Sequence, residues 1–277
     1  VTTVPVIELS NGVRMPQLGY GVFQIPDAET KTAVQAALEI GYRSIDTAAV
    51  YGNEAGVGQA IAESGVARDE LFVTTKLWNS AQGYDATLKA FDESLAKLGL
   101  EQLDLYLIHW PTPERDKYLD TWKAFEKLHA DGRVRALGVS NFQPAHLERL
   151  LDAAEIAPAL NQIELHPYLQ QQELREFDAK HGIATEAWSP LAQGGSLLGD
   201  PIIGELAVKH GRTPAQIVLR WHLQLGNVVI PKSVTPSRMR ENFDLFEFTL
   251  TEEELESLTP LNRDERTGPD PDTFNAA

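Results

Sequence analysis

The 277 residues are 43% hydrophobic and 23% charged, which excludes a disordered or fibrous chain and supplies a large core. A formal charge of −16 argues against nucleic acid or an anionic membrane as partner, and the lack of any cysteine excludes disulfides, thiolate metal sites and a cysteine nucleophile. The first residues carry no basic-then-apolar leader, and no apolar run reaches the roughly 18 residues of a membrane span.

In chain order, residues 4–16 alternate around Asn11-Gly12, the strongest short hairpin signal, so 1–16 is expected to form an N-terminal β-hairpin, read as a lid. Short β-prone runs then recur at 18–23, 42–47, 71–77, 103–110, 134–139, 159–165, 184–188 and 227–231. Between them lie helical stretches at 28–40, 53–64, 84–98, 118–130, 144–154, 172–181 and 201–210. In the first, Ala33, Ala36, Ala37 and Ile40 make one buried stripe, with Asp27 in front and Gly41 behind as start and stop signals. Thr213-Pro214 and Thr251 to Glu254 open accessory C-terminal helices over 214–223 and 251–257, with another over 236–244. The polar tail 262–277 reads as a flap.

Eight apolar strands alternating with helices call for a parallel sheet covered on its outer face, and eight units favour a closed α/β (β/α)8 TIM barrel. One domain over 1–277 is the expected organisation, cytoplasmic and monomeric, since no exposed apolar stripe stands out. Neither Gly19-Tyr-Gly21 nor Gly52-Asn-Glu-Ala-Gly-Val-Gly58 has the Gly-x-Gly-x-x-Gly order of an open dinucleotide fold.

In such a barrel the site lies at the carboxyl-terminal rim, so the polar residues that finish apolar runs carry the information. Asp46 finishes the second run with Tyr51 just beyond, Lys76 lies late in the third, His109 ends the fourth, and Ser140-Asn141 the fifth. Asn161-Gln162 lies inside the sixth, Trp188-Ser189 closes the seventh, and Lys232-Ser233 follows the eighth. Each has a plain structural alternative: a lysine snorkelling to water, a core histidine, amides satisfying loop backbone. Together they point to one rim, where a lysine is costly to bury unless a carboxylate pairs with it. A carbonyl that receives a hydride needs a proton at its oxygen. Tyr51 could give it if the Lys76 ammonium, held by Asp46, lowered its pKa from about 10, with His109 orienting the oxygen.

Nearly end to end, the chain resembles the aldo-keto reductase family, in the style of the bacterial 2,5-diketo-D-gluconic acid reductases. The resemblance rests on Met15-Pro-Gln-Leu-Gly-Tyr-Gly21, Gly41-Tyr-Arg-Ser-Ile-Asp-Thr-Ala48, Val50-Tyr-Gly-Asn-Glu54, Thr75-Lys-Leu-Trp78, Leu107-Ile-His-Trp-Pro111, Gly138-Val-Ser-Asn-Phe142, Asn161-Gln-Ile-Glu-Leu-His-Pro167 and Ile230-Pro-Lys-Ser233. It implies a catalytic tetrad of Asp46, Tyr51, Lys76 and His109, and NADPH as cofactor. Ser140, Asn141 and Gln162 would bond the nicotinamide carboxamide, Trp188 would stack on the ring, and Ser189, Leu191 and Gln193 would pass over the pyrophosphate. Ile230, Lys232, Ser233, Val234, Arg238, Glu241 and Asn242 would hold the adenosine end. Two cations beside the helix start at Thr235-Pro236 suit a phosphate monoester, hence NADPH over NADH. Phe23, Trp78, Trp110 and His109, with the carboxyl-terminal flap, would line the pocket for a small carbonyl.

Trp188 and Phe23 depart from the tyrosine and tryptophan common in the family, and the belt 192–199 is short, which predicts faster cofactor exchange. Two other readings stay open: an NADPH-binding regulatory subunit with slow turnover, and a hydrolase using Asp46 with Glu164 or Glu186. No metal site is expected, because no two histidines stand four apart.

Overall fold

The computed structural model describes residues 3–277. Two antiparallel strands, β1 (Val6–Glu8) and β2 (Arg14–Pro16), form the expected hairpin, with Ile7 opposite Met15; the first two residues of the expected segment lie outside the described ones. Eight parallel strands follow, and their order in the sheet is their order in the chain: β3 (Tyr20–Gly21), β4 (Ser44–Asp46), β5 (Phe72–Leu77), β6 (Leu103–Ile108), β7 (Val134–Ser140), β8 (Leu160–Glu164), β9 (Ala184–Trp188) and β10 (Val228–Val229). The last strand meets the first where Gly19 N donates to Val229 O at 2.9 Å and Val229 N donates to Gln17 O at 3.0 Å. The architecture is a (β/α)8 barrel.

One helix follows each of the first six barrel strands, α1 (Asp27–Ile40), α2 (Glu54–Glu63), α3 (Tyr84–Leu98), α4 (Tyr118–Ala130), α5 (Pro144–Ala153) and α6 (Gln172–Lys180), and between β9 and β10 lies α7 (Pro201–His210), joined there by the first of the next three. Then come α8 (Pro214–Gln224), α9 (Pro236–Phe243) and α10 (Glu252–Leu258). Thr213 and Thr251 cap α8 and α10 in reciprocal boxes with Gln216 and Glu254. Asp27 does not cap α1. It lies in the first turn, and its carboxylate accepts Gly56 N at 2.9 Å, fastening α1 to α2. The glycines of α2 serve close packing: a Cβ on Gly58 would stand 2.4 Å from Leu98 O at the end of α3.

Side chains along each strand alternate between the helical shell and the barrel interior. On β5, Val73 and Leu77 join the outer core, which leaves Phe72, Thr74 and Lys76 to the interior. The lower interior is apolar: Phe72, Leu105, Leu107, Ala136, Leu160 and Val228 pack with Leu9 and Met15 of the hairpin. The hairpin therefore plugs the amino-terminal mouth. The expected lid covers the end opposite the polar rim, because Leu9 and Met15 seek the apolar layer and that layer is made by the strand starts.

Candidate active site at the carboxyl-terminal mouth

One step up each strand the interior turns polar. Asp46, at the end of β4, and Lys76, late in β5, are both buried and form an ion pair of 2.6 Å. An ammonium has three N–H groups and no acceptor. Lys76 Nζ donates to Asp46 Oδ1 at 2.6 Å, to Thr47 O at 3.0 Å and to Tyr51 Oη at 3.3 Å. The Tyr51 oxygen is thus an acceptor here, and its own hydrogen is left for a third group.

Local sequence fixes where Tyr51 stands. It ends a 3-10 turn, Ala49–Tyr51, that exits through Gly52 at a φ of 68°, a left-handed conformation that glycine adopts without strain. Asn53 then stitches the turn to the loop after β3: its amide donates to Val22 O and Ile25 O, and its oxygen accepts Thr47 Oγ1 at 2.7 Å. Glu54 accepts Thr75 Oγ1 at 2.7 Å from β5.

Burial alone would depress the Lys76 ammonium, but the Asp46 carboxylate, with Tyr51 and Glu186 behind it, carries it above the ordinary lysine range. For Tyr51, burial raises the phenol and the ammonium lowers it. Burial prevails, so the group sits above 10, and the lowering expected from Lys76 is only a partial offset. Burial, then the Lys76 charge, holds His109 well below its usual 6.5, so the imidazole is neutral.

His109 stands edge-on to Tyr51 and Trp78, with centroids 5.8 and 5.3 Å apart. Its Nδ1 is enclosed without a hydrogen-bond partner among the described residues. Phe23, which is 46% exposed, leans on Tyr51 at 5.2 Å. Trp110 meets Phe274 at 4.5 Å and Trp188 at 6.5 Å. The flap was expected at this pocket as a whole; Phe274, the lone aromatic of that polar tail, is the residue that reaches it. The tail does cross this mouth: the Glu164 carboxylate accepts Thr267 N, Thr267 Oγ1 and Gly268 N as well as a bond from His166, and Asn79 donates to Ala276 O. A Cβ at Gly268 would lie 2.5 Å from the Trp188 ring.

The expected cofactor residues fall into two groups. Ser140, Asn141, Gln162 and Trp188 meet beside the tetrad, and their donors are already engaged. Asn141 donates to His109 O and Ser140 Oγ, and accepts the Trp188 indole N–H at 2.8 Å. Ser140 donates to Gln162 O, and the Gln162 amide donates to Asp46 and Glu186. What this cluster still offers is acceptor capacity on Ser140, Asn141 and Gln162, which fits the N–H groups of a carboxamide. Asn161 faces outward, bonded to Phe142 O and Asp178.

The second group lies beyond β10. Lys232, Val234 and Arg238 are exposed, Ser233 and Glu241 half-buried, Ile230 and Asn242 buried. Lys232 and Arg238 make no ion pair among the described residues, although the protein has an excess of carboxylates. Thr235 precedes α9 without a side-chain cap, leaving its first-turn N–H groups open. Between the groups runs the belt, where Ser189, Ala192 and Gln193 all take positive φ (46°, 50° and 57°), a strained run for non-glycine residues. Leu191 is half-buried within it.

The sequence signature of the Aldo/keto reductase family matches residues 10–263. The chain belongs to that family. The reductase is 59% identical to an aldo-keto reductase of Mycolicibacterium smegmatis over 98% of both chains, and 55% identical to the glyoxal reductase of Bacillus subtilis over 96% of both. Among solved structures, a mutant of Gox0644 in complex with NADPH shares 50% identity, covers 99% of each chain and superposes with a TM-score of 0.95. Each of the three carboxylates that the hydrolytic alternative would use is engaged: Asp46 is paired with Lys76, Glu186 shares the Gln162 amide, and Glu164 holds the tail.

Proposed function

We propose that the reductase reduces small aldehydes and ketones, dicarbonyls foremost, to alcohols with NADPH, and that Tyr51 is the proton donor. The observation that carries this reading is the exhausted donor set of Lys76, which makes Tyr51 Oη an acceptor and leaves its hydrogen for a carbonyl oxygen. NADPH, when bound, supplies the hydride. Acceptors on Ser140, Asn141 and Gln162 would hold its carboxamide, and Lys232 and Arg238 at the start of α9 would hold its ribose phosphate, which favours NADPH over NADH. The NADPH complex of Gox0644 and the glyoxal reductase of Bacillus subtilis support this reading over a regulatory subunit.

Burial keeps Tyr51 in the phenol form at neutral pH, so the proton is present when a carbonyl arrives. As that proton leaves, the Lys76 N–H bond to the oxygen becomes charge-assisted and stabilises the phenolate. Neutral His109 donates to the same carbonyl oxygen and orients it without adding a charge to the cleft. Phe23, Trp78, Trp110 and Phe274 exclude water around it.

Loss of NADPH absorbance with glyoxal tests the proposal. Steady turnover is expected, falling about 10²–10⁴-fold in Tyr51→Phe while the far-UV circular dichroism stays that of the parent. An undiminished rate in Tyr51→Phe would sink the donor assignment, and an absence of turnover in the parent would favour the regulatory reading.

A further inference from the structure

Glu186 is almost fully buried at 1% exposure, in the middle of β9, and the reaction as derived does not use it. Its neighbours in register are Gln162 on β8 and Val228 on β10. The Gln162 amide nitrogen donates to Glu186 Oε1 at 2.6 Å and to Asp46 Oδ2 at 2.8 Å, so one NH₂ group bridges two carboxyls. Asp46 holds Lys76 with its other oxygen, and Lys76 holds Tyr51. A continuous chain therefore crosses the mouth from β9 to the turn after β4: Glu186, Gln162, Asp46, Lys76, Tyr51.

We propose that Glu186 is the far end of this chain, a positioning residue that fixes the Gln162 amide and that, on losing its proton, makes Tyr51 a poorer acid. The proposal rests on the reading of Tyr51 as the donor. Its geometry is constraining. With both Gln162 N–H groups spent on carboxyls, the Gln162 oxygen is the atom left for a ligand, so Glu186 decides which face of that amide a ligand meets.

The charge balance explains the switch. The titratable and charged groups facing Glu186 are Asp46 on β4, Lys76 on β5 and Tyr51 beyond β4. One ammonium serves two carboxyls, and Asp46 has it. Glu186 makes no ion pair among the described residues, and burial, then the Asp46 charge, pushes it up to about 8 against the weaker pull of Gln162 and Lys76. Near neutrality the trio Asp46, Lys76 and protonated Glu186 sums to zero. Above about pH 8 it carries one negative charge, which disfavours the phenolate that Tyr51 must become.

Glu186→Gln keeps an oxygen that can accept from Gln162 and removes the titration. At saturating NADPH, parent kcat/KM with glyoxal is expected to fall about threefold between pH 7 and 9, while the variant, whatever its rate at pH 7, stays flat over that range. A parallel fall in both proteins, or a flat parent, overturns the proposal. Tyr51→Phe runs alongside: full activity there means that the donor reading itself has failed, a different result from an unchanged pH profile in Glu186→Gln.

A second measurement needs no cofactor. A carboxyl raised in the folded state contributes stability that is present at low pH and lost as pH climbs towards its folded value. The Tm of Glu186→Gln relative to the parent should therefore increase from pH 5.5 to about 8 and then hold constant. A difference independent of pH means that Glu186 is ionised throughout, and the proposal fails.

Discussion

The two mouths of the barrel are made by the same strands under the same alternation, yet they are held together differently. At the amino-terminal mouth Phe72, Leu105, Leu107 and Leu160 close on Leu9 and Met15 of the hairpin. At the carboxyl-terminal mouth, a few residues further along these strands, Lys76, His109 and Gln162 occupy the corresponding inward positions. The first mouth is stabilised by area and volume, so other apolar side chains of similar size would serve. The second depends on each charge having its partner, because a buried ammonium without a carboxylate costs more than most single contacts return.

Removing the partner tests the contrast most sharply. Asp46→Ala strands the Lys76 ammonium and should cost about 3–5 kcal/mol in urea unfolding at pH 7. A loss below about 1 kcal/mol would mean that water reaches the pair and that the upper mouth is not dry. Met15→Ala, at the other end, leaves a cavity and should cost about 2–4 kcal/mol with kcat unchanged. A fall in kcat with that substitution would show the two mouths to be coupled. The smallest effect is expected outside both: Arg238→Ala should weaken NADPH about tenfold and leave NADH within about twofold, read by quenching of tryptophan fluorescence. Equal losses for the two cofactors would remove the phosphate assignment.

Much of this was legible in the chain because alternation places every second strand residue inside. Asp46, Lys76 and His109 could be aimed at one rim by counting alone, and the mutual dependence of a buried lysine and a carboxylate did the rest. Which mouth the hairpin closes was not legible, since Asn11-Gly12 announces a turn and says nothing of where Leu9 and Met15 will find an apolar surface. Glu164 looked like a candidate hydrolytic carboxylate because its partners, Thr267 and Gly268, lie about a hundred residues on. Tyr51 shows the limit of charge reasoning: the ammonium was visible in the sequence, but the burial that outweighs it is a property of the packed fold.

The tail carries a consequence of its own. It is fastened before Phe274, by Glu164 at residues 267 and 268, and after it, where Asn275 accepts from Glu114 N and Ala276 from Asn79. Tyr51, proposed to give the proton, and Phe274, which packs on Trp110, therefore reside on separable pieces of chain. On that reading, altered selectivity can evolve, or be engineered, by exchanging the span between the two moorings while Asp46, Tyr51, Lys76 and His109 stay on the strand ends and the turns just after them.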